Sequence, residues 1–257
     1  MKARLTVLGS GTSMGVPTIG CDCAVCHSPD PHDRRTRPSV LVEYNDKVVL
    51  IDSTPDFREQ AIREQIRRLD AVLYTHTHAD HILGIDDLRP LSFRHKPGKL
   101  PLYASPEAVE FLRNMFRYIF DADYKFGGLP LVELSPIQGP VDLFGACFEP
   151  VTVIHGESEI FGFRFGDAAY LTDHSDVPEA TLAKLRNLDI LFLDALRHTP
   201  HPTHSTVENS LRIVEQLKPK RAFFTHICHD LAHEATNATL PPNVRLSYDG
   251  MKLEFEI

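Results

Sequence analysis

Three histidines and one aspartate crowd into residues 76–81, directly after the apolar residues 71–74, and this segment constrains the chain more than any other. Neutral imidazole is the commonest metal ligand in proteins, and carboxylate oxygens bind the same metals. A strand that runs into a short loop or a helix N-terminus can aim all of these side chains into one space. The segment therefore indicates parts of two metal sites, and a polar surface turn is the weaker interpretation.

Length and charge limit the class of protein. The chain has 257 residues, enough for a sizeable core in one large domain or two small ones, and we expect one domain over residues 1–257. Its net charge of −8 argues against a surface dedicated to nucleic acid, which needs a basic face. A small phosphate-bearing substrate is still compatible with this charge, because bound metal ions supply local positive charge.

The sequence carries no clear signal for a membrane or for secretion. No apolar stretch is long enough to span a bilayer, and the first residues lack the apolar segment of a signal peptide. We therefore expect no membrane segment, and a cytoplasmic location is the default expectation.

Strand-like apolar runs alternate with helical patterns, and several runs end in a metal-binding residue type. Helical spacing marks residues 55–68, 106–120, 178–187 and 206–217. Ser105 is expected to cap the second of these helices. The residues that directly follow strand-like runs include His76, His155, Asp173, Asp194 and His226. Strands that each deliver such a side chain at the C-terminal end indicate one rim of a layered structure, with two sheets inside and helices outside.

The ordered set of acidic and histidine residues resembles the metallo-β-lactamase superfamily of metal-dependent hydrolases. The HxHxDH pattern of that superfamily is matched at each defined position by residues 76–81, and the resemblance spans nearly the whole chain. It implies an α/β fold of the four-layer αββα sandwich type. In chain order the matching residues are Asp52, His76, His78, Asp80, His81, His155, Asp173 and His226.

The resemblance also implies a role for each residue of this set. One ion is expected on His76, His78 and His155. A second ion is expected on Asp80, His81 and His226. Asp173 is expected to bridge the two ions, and Asp52 to orient the ligands from behind. Two divalent ions about 3.5–4 Å apart can share a hydroxide and clamp a phosphoryl group. The donor types admit zinc, manganese or iron, and zinc or manganese is expected.

A cluster of cysteines near the N-terminus indicates a further metal site. Three of the five cysteines, Cys21, Cys23 and Cys26, lie in a CxCxxC pattern within an expected insertion near residues 20–38. Such crowding in a cytosolic chain favours metal binding over disulfides, and a structural zinc takes four ligands. His229 and Cys228 compete for the fourth position, and the family resemblance places His229 first. Cys147, among apolar residues, is expected to be buried. The basic residues 34–37 are expected in a solvated loop, and contact with a substrate phosphate is the alternative.

The cysteine cluster narrows the resemblance to one family. The GxGxxxGVPxxGCxCxxC opening, the HxHxDH segment and the closing THxxH are similar to those of the phosphoribosyl 1,2-cyclic phosphate phosphodiesterases of the carbon–phosphorus lyase pathway. That family implies a two-metal phosphodiesterase with a separate structural zinc, with catalytic roles for Asp80 and His204, the latter in proton transfer. His198 and His201 are expected in a solvated loop. Residues 52–58 depart from the family pattern, which leaves the substrate open.

Two other functions compete with a phosphodiesterase that acts on a small phosphate ester. A transfer-RNA 3′-processing nuclease of the same superfamily needs a basic RNA-binding arm, and residues 83–155 show none, so nucleic acid is not the expected partner. A carboxylic ester or thioester hydrolase uses the same metal-activated water. A non-catalytic metal-binding module is disfavoured because every expected ligand is present. A homodimer is the commonest soluble assembly and is expected on that ground.

Overall fold

The computed structural model describes residues 1–121 and 127–257 and folds them into two mixed β-sheets of seven strands each. The strands are, in chain order, β1 (Lys2–Gly9), β2 (Ser39–Tyr44), β3 (Lys47–Ile51), β4 (Ala71–Leu73), β5 (Leu100–Ala104), β6 (Val132–Pro136), β7 (Val141–Leu143), β8 (Ala146–His155), β9 (Ser158–Phe165), β10 (Ala168–Leu171), β11 (Ile190–Asp194), β12 (Arg221–Thr225), β13 (Val244–Leu246) and β14 (Lys252–Glu256). The first sheet has the order β14-β1-β2-β3-β4-β5-β6, and the second has the order β13-β12-β11-β10-β9-β8-β7.

Short helices connect the strands. They are α1 (Phe57–Arg63), α2 (Ala79–Ile82), α3 (Arg89–Ser92), α4 (Pro106–Met115), α5 (Arg117–Phe120), α6 (Glu179–Lys184), α7 (Val207–Leu217) and α8 (His233–Asn237). Two 3-10 turns lie at Pro31–Asp33 and Leu83–Leu88. Among the described residues, none of the helices has the length and apolar character needed to cross a membrane.

The apolar residues form three clusters that define four layers. Side chains alternate between the faces of a strand, so Val40 and Val42 of β2 pack between the sheets while Leu41 packs toward the helical side. In the second sheet, Phe192 points into the same inter-sheet core, and Leu191 joins the outer cluster that includes residues of α6 and α7. The result is a four-layer αββα sandwich of the α/β class, which confirms the predicted fold.

Three predictions about the helices can be compared with the structure. The helix expected over residues 55–68 ends at Arg63, because Gln65 adopts a left-handed conformation with φ 56°. The helix expected over residues 106–120 is divided at Phe116, whose backbone leaves the helical region with ψ 39°. Ser105 caps α4 as predicted, since its hydroxyl accepts a hydrogen bond from Ala108 N at 3.1 Å.

The expectation that Cys147 is buried is wrong. Cys147 is exposed, whereas its neighbours Ala146 and Phe148 belong to the inter-sheet core. Since side chains alternate along β8, a residue between two inward-facing positions must face outward. The apolar neighbours of Cys147 in the sequence therefore reflect the buried face of β8, and they do not show that Cys147 itself is buried.

Parallel pairing brings the carboxyl ends of several strands to one edge of the sandwich. In the first sheet β3 pairs in parallel with β4, and in the second sheet β10, β11 and β12 are parallel neighbours. The residues that follow these strands therefore lie along one rim, where ligand sites of open α/β sheets usually form. The loop that follows β1 reaches the same rim through an isolated bridge between Gly11 and Ile227.

One buried arginine attaches the insertion to the rim. The Arg35 side chain is fully buried, donates to Cys228 O at 2.9 Å and to Leu231 O at 2.7 Å, and pairs with Asp33 at 2.9 Å. The Asp33 carboxylate also accepts from His233 N at the start of α8. The expected solvated loop at residues 34–37 is therefore wrong for Arg35, because its partners are carbonyls almost 200 positions away in the chain.

We predict that Arg35→Met destabilises the protein by about 3–5 kcal/mol, because the substitution leaves the buried Asp33 carboxylate without its cationic partner. Urea unfolding followed by circular dichroism measures the change. Arg34→Met is the matched control, since Arg34 is exposed, and its effect should stay within about 0.5 kcal/mol. Equal effects of the two substitutions would contradict the anchoring role of Arg35.

Candidate active site

Three residues at the rim turn sharply out of their strands. Asp52 after β3, Asp173 after β10 and His226 after β12 have φ values of 65°, 55° and 57°. A non-glycine residue held in this left-handed region costs roughly 1–3 kcal/mol, and such strain concentrates at functional sites. The surrounding sheets maintain these conformations, which place three acidic and histidine side chains from two sheets beside one another.

The first donor cluster consists of His76, His78, His155 and Asp173. One donor atom from each residue lies within 4.8 Å of the others. The His155 Nε2 and His78 Nδ1 atoms are 3.3 Å apart, and His155 Nδ1 donates to Thr203 O at 2.7 Å. That second hydrogen bond orients the ring so that Nε2 faces the cluster, as metal-binding histidines usually require.

The second donor cluster consists of Asp80, His81, Asp173 and His226, all of them buried. The His226 Nε2 atom lies 3.2 Å from Asp173 Oδ2 and 3.5 Å from Asp80 Oδ2. The His81 Nε2 atom lies 3.2 Å from Asp173 Oδ1. Asp173 thus belongs to both clusters and presents one oxygen to His81 and the other to His226.

Several buried polar atoms in the two clusters lack a hydrogen-bond partner among the described residues. They are the Nε2 atoms of His76, His81 and His226 and the Oδ2 atom of Asp80. A buried polar group without a partner costs about 1–3 kcal/mol, so such groups are rarely left unsatisfied. Imidazole nitrogens and carboxylate oxygens are the donors that zinc and similar divalent ions take, and the two clusters therefore fit two metal ions.

Asp52 supports the second cluster from behind. Its carboxylate accepts from His81 Nδ1 at 2.7 Å, from Thr75 N at 2.8 Å and from Thr75 Oγ1 at 2.8 Å. Full burial raises the pKa of the Asp52 carboxyl, although His81 and Thr75 favour its charged form. The contact with Nδ1 leaves His81 Nε2 directed at Asp80 and Asp173, so Asp52 lies where it can orient the His81 ring.

The buried carboxylates of the site strongly favour positive charge on the groups around them. Burial alone would raise the pKa of Asp173, but His226 and His81 hold it well below its usual range. Burial likewise opposes a charged His226, yet Asp173, Asp80 and Asp194 raise its pKa to about 9. The carboxylates therefore favour positive charge beside them, and a metal ion that binds His81 and His226 competes with protons on these two rings.

Asp194 and His204 form a hydrogen-bonded pair beside the two clusters. His204 Nδ1 donates to Asp194 Oδ2 at 2.6 Å, and the Asp194 side chain is fully buried. The His204 ring stacks on His226 with centroids 4.5 Å apart and lies 4.9 Å from the His155 ring. The structure thus brings His204 to the site, and the contact at Nδ1 leaves Nε2 as its free nitrogen.

Sequence reasoning missed the partnership of Asp194 with His204, although it noted Asp194 at a strand end. The sequence feature that could have indicated this pair is an aspartate at a strand end, ten residues before a histidine. It also missed His174, which follows Asp173, is fully buried, and has a pKa lowered to about 3 because burial disfavours its charged form. His198 is exposed, in line with the expected solvated loop, and pairs with Glu208. The His201 ring, expected in the same solvated loop, lies 5.1 Å from the His204 ring.

The cysteine insertion forms a separate donor cluster with His229. The His229 Nδ1 atom lies 3.2, 3.7 and 3.4 Å from the Sγ atoms of Cys21, Cys23 and Cys26. Cys228, the competing residue, lies outside this group, and its Sγ accepts from Asp230 N at 3.4 Å. The four converging donors fit a tetrahedral zinc site with three thiolates and one imidazole.

Comparisons with known families and structures agree with this geometry. The sequence model of the family described as Beta-lactamase superfamily domain matches residues 47–227. A crystal structure of a diphosphatase from the PhnP family shares 61% identity with the chain and has a TM-score of 0.94, over 99% of this chain and 98% of that one. Zinc-bound PqqB from Methylobacterium extorquens has a TM-score of 0.80 at 18% identity, over 97% and 99% of the two chains, which shows a shared fold.

Curated relatives bear two different names. An octanoyltransferase of Porphyromonas gingivalis is 37% identical over 254 residues, which cover 97% of this chain and 51% of that protein. A ribonuclease Z of Bradyrhizobium diazoefficiens is 32% identical over 145 residues, which cover 54% of this chain and 47% of that protein. The chain therefore spans about half the length of these curated relatives.

Proposed function

We propose that this chain, which belongs to the β-lactamase superfamily, is a metal-dependent phosphodiesterase that hydrolyses small cyclic or diester phosphates. The observation that carries the proposal is the position of Asp173, which is shared by two donor clusters that both open at one rim. Two adjacent cations suit the hydrolysis of phosphate esters, because negative charge develops on both the attacking and the leaving oxygens. The 61% identity with a diphosphatase of the PhnP family supports hydrolysis at a phosphoryl group.

The proposed ligand assignment follows the two clusters. His76, His78, His155 and Asp173 hold one divalent ion. Asp80, His81, Asp173 and His226 hold the other. When bound, the pair of ions neutralises phosphoryl charge and lowers the pKa of bound water. We propose zinc or manganese at these positions and a structural zinc on Cys21, Cys23, Cys26 and His229.

His204 is the proposed proton donor to the leaving group. Its Nδ1 atom is committed to Asp194, so Nε2 is the nitrogen available to a substrate. The buried Asp194 carboxylate stabilises the protonated ring and fixes its orientation, as a carboxylate behind a catalytic histidine does. The stacking of His204 on His226 keeps the donor within reach of the reacting phosphoryl group.

A transfer-RNA 3′-processing nuclease is the second candidate, because the ribonuclease Z of Bradyrhizobium diazoefficiens is 32% identical over 54% of the chain. The net charge of −8 disfavours it, since RNA binding depends on a basic surface.

We propose a single domain over residues 1–257 and a homodimer as the assembly. Gel filtration with light scattering measures the mass of the assembly.

We predict that the metal-loaded protein hydrolyses bis(p-nitrophenyl) phosphate and that Asp80→Ala abolishes this activity, because the second cluster loses the one carboxylate that it does not share with the first cluster. Release of p-nitrophenolate is the readout. Asp86→Ala, a change at a partly exposed carboxylate beyond α2, should retain wild-type activity. Cleavage of an octanoyl thioester without cleavage of the diester would overturn the phosphodiesterase proposal in favour of acyl chemistry.

We predict that His204→Ala slows the cleavage of alkyl phosphodiesters by about 10²–10⁴-fold, the usual contribution of a general acid. Cleavage of p-nitrophenyl diesters should change far less, because p-nitrophenolate leaves without a proton. Asp194→Asn should show the same dependence on the leaving group, with a smaller loss of kcat.

His198→Ala is the control for these two variants, since His198 lies in the same loop and pairs with Glu208 at the surface. Steady-state kinetics with a series of leaving groups separates the two roles. An equal loss for alkyl and nitrophenyl esters would show that His204 positions the substrate and does not donate the proton.

A further inference from the structure

Two histidines and a glutamate meet outside the rim and outside the cysteine cluster, where the insertion packs against α8. His32 lies in the 3-10 turn of the insertion, and His233 and Glu234 are the first two residues of α8. One donor atom from each of these three residues lies within 4.8 Å of the others. The two segments are far apart in the sequence, so the fold brings the three side chains together, and the proposed function makes no use of them.

The His233 side chain has an unpartnered polar atom in a buried position. His233 is 5% exposed, and its Nδ1 atom has no hydrogen-bond partner among the described residues. Burial, assisted by His32 and Arg35, lowers the pKa of His233, so the ring is neutral at pH 7 and keeps a lone pair for a ligand. A buried nitrogen without a partner is destabilising, and a bound cation satisfies it.

A carboxylate holds His32 in the manner of metal-binding histidines. The Nδ1 atom of His32 lies 3.0 Å from Asp30 Oδ1, which leaves Nε2 as the nitrogen available to a ligand. The same Asp30 oxygen accepts from His32 N at 2.9 Å, so the carboxylate is fixed relative to the ring. The ring also contacts His233 and Tyr248, with centroids 4.6 and 4.4 Å apart. These contacts fix the orientation of the ring.

Negative charge exceeds positive charge around the three donors. Asp30, Asp33 and Glu234 lie at or beside them, and Glu234 forms no ion pair within the described part of the chain. Arg35, which pairs with Asp33 at 2.9 Å, supplies one positive charge. With neutral imidazoles, these three carboxylates and one guanidinium leave two negative charges, the charge that one divalent ion balances.

We propose that His32, His233 and Glu234 bind one additional divalent metal ion of the zinc type, separate from the ions of the rim and of the cysteine cluster. Two imidazoles and one carboxylate are a donor set that zinc takes, with water in the fourth position. The exposed Glu234 closes the site on the solvent side, so this ion exchanges with solution more readily than an ion at a fully buried site. The ion joins the insertion to α8, beside the link that Arg35 makes through Asp33.

Equilibrium dialysis of the metal-loaded protein against zinc, followed by elemental analysis, tests the proposal. Glu234→Gln is compared with the wild type, because it removes one charged ligand from an exposed position at nearly constant volume. We expect its affinity for the additional zinc to fall at least about tenfold, since changes even in the outer partners of metal ligands cost that much. At a free zinc concentration that only just saturates the wild type, the wild type should therefore hold more zinc than the variant.

His32→Asn tests the part of the site that the insertion supplies, and His27→Asn is its matched control. His27 belongs to the same insertion, is exposed and lies 3.4 Å from Asp22, so it represents an ordinary surface histidine. His32→Asn should lose the additional zinc, and His27→Asn should retain it. Circular dichroism before zinc is added checks that each variant is folded.

Thermal denaturation gives a second readout. Free zinc tenfold above its Kd should raise the Tm of the wild type by roughly 3–5 °C, because the ion binds only the folded chain. The Tm of Glu234→Gln and of His32→Asn should rise much less at the same zinc concentration. These comparisons use differences between variants, so they hold whatever the number of ions at the rim.

Three outcomes would overturn the additional site. Equal zinc binding by the wild type and Glu234→Gln would show that the three side chains pack together without a metal. Equal losses in His32→Asn and His27→Asn would show adventitious binding by surface histidines. An anomalous zinc signal in crystals that is absent between the insertion and α8 would have the same meaning. Failure to hydrolyse bis(p-nitrophenyl) phosphate, in contrast, would overturn the proposed function and leave this site intact.

Discussion

The structure depends on the convergence of four buried carboxylates at one junction between the two sheets. Asp52, Asp80, Asp173 and Asp194 are each at most 6% exposed. Buried carboxylates are stable only when they are hydrogen-bonded and matched by positive charge. The surrounding histidines supply part of that match, and their unpartnered nitrogens point to bound cations as the remainder. The acidic junction thus accounts for both the architecture of the rim and its chemistry.

The two sheets contribute different parts of this arrangement. The first sheet supplies Asp52 and the segment from His76 to His81, and the second supplies His155, Asp173, Asp194 and His226. Neither sheet alone holds a complete cluster, so the inter-sheet core sets the distance between donor atoms. Left-handed backbone at Asp52, Asp173 and His226 is maintained by that core, which offsets its cost. Packing in the interior is therefore linked directly to metal binding at the rim.

How much of this could be predicted from the sequence depends on how local each feature is. Apolar runs that end in histidine or aspartate are local, and they predicted a rim of such side chains, whereas the division of these residues between two ions came from the family resemblance. The pairing of Asp194 with His204 depends on the path of a proline-containing loop, and the burial of Arg35 depends on carbonyls of Cys228 and Leu231 far along the chain. Exposure of Cys147 follows from strand register, which composition does not reveal. Single residues whose partners are distant were thus the ones that sequence patterns could not place.

The central proposal is that Asp173 would serve as a ligand to two metal ions at once. Anomalous diffraction from crystals of protein purified without chelator tests it most directly, with data collected on either side of the absorption edges of zinc and manganese. The account predicts two peaks at the rim, one on the side of His78 and His155 and one on the side of Asp80 and His226, and a third peak among the cysteines. A single rim peak, or none, in crystals grown with excess metal would contradict it.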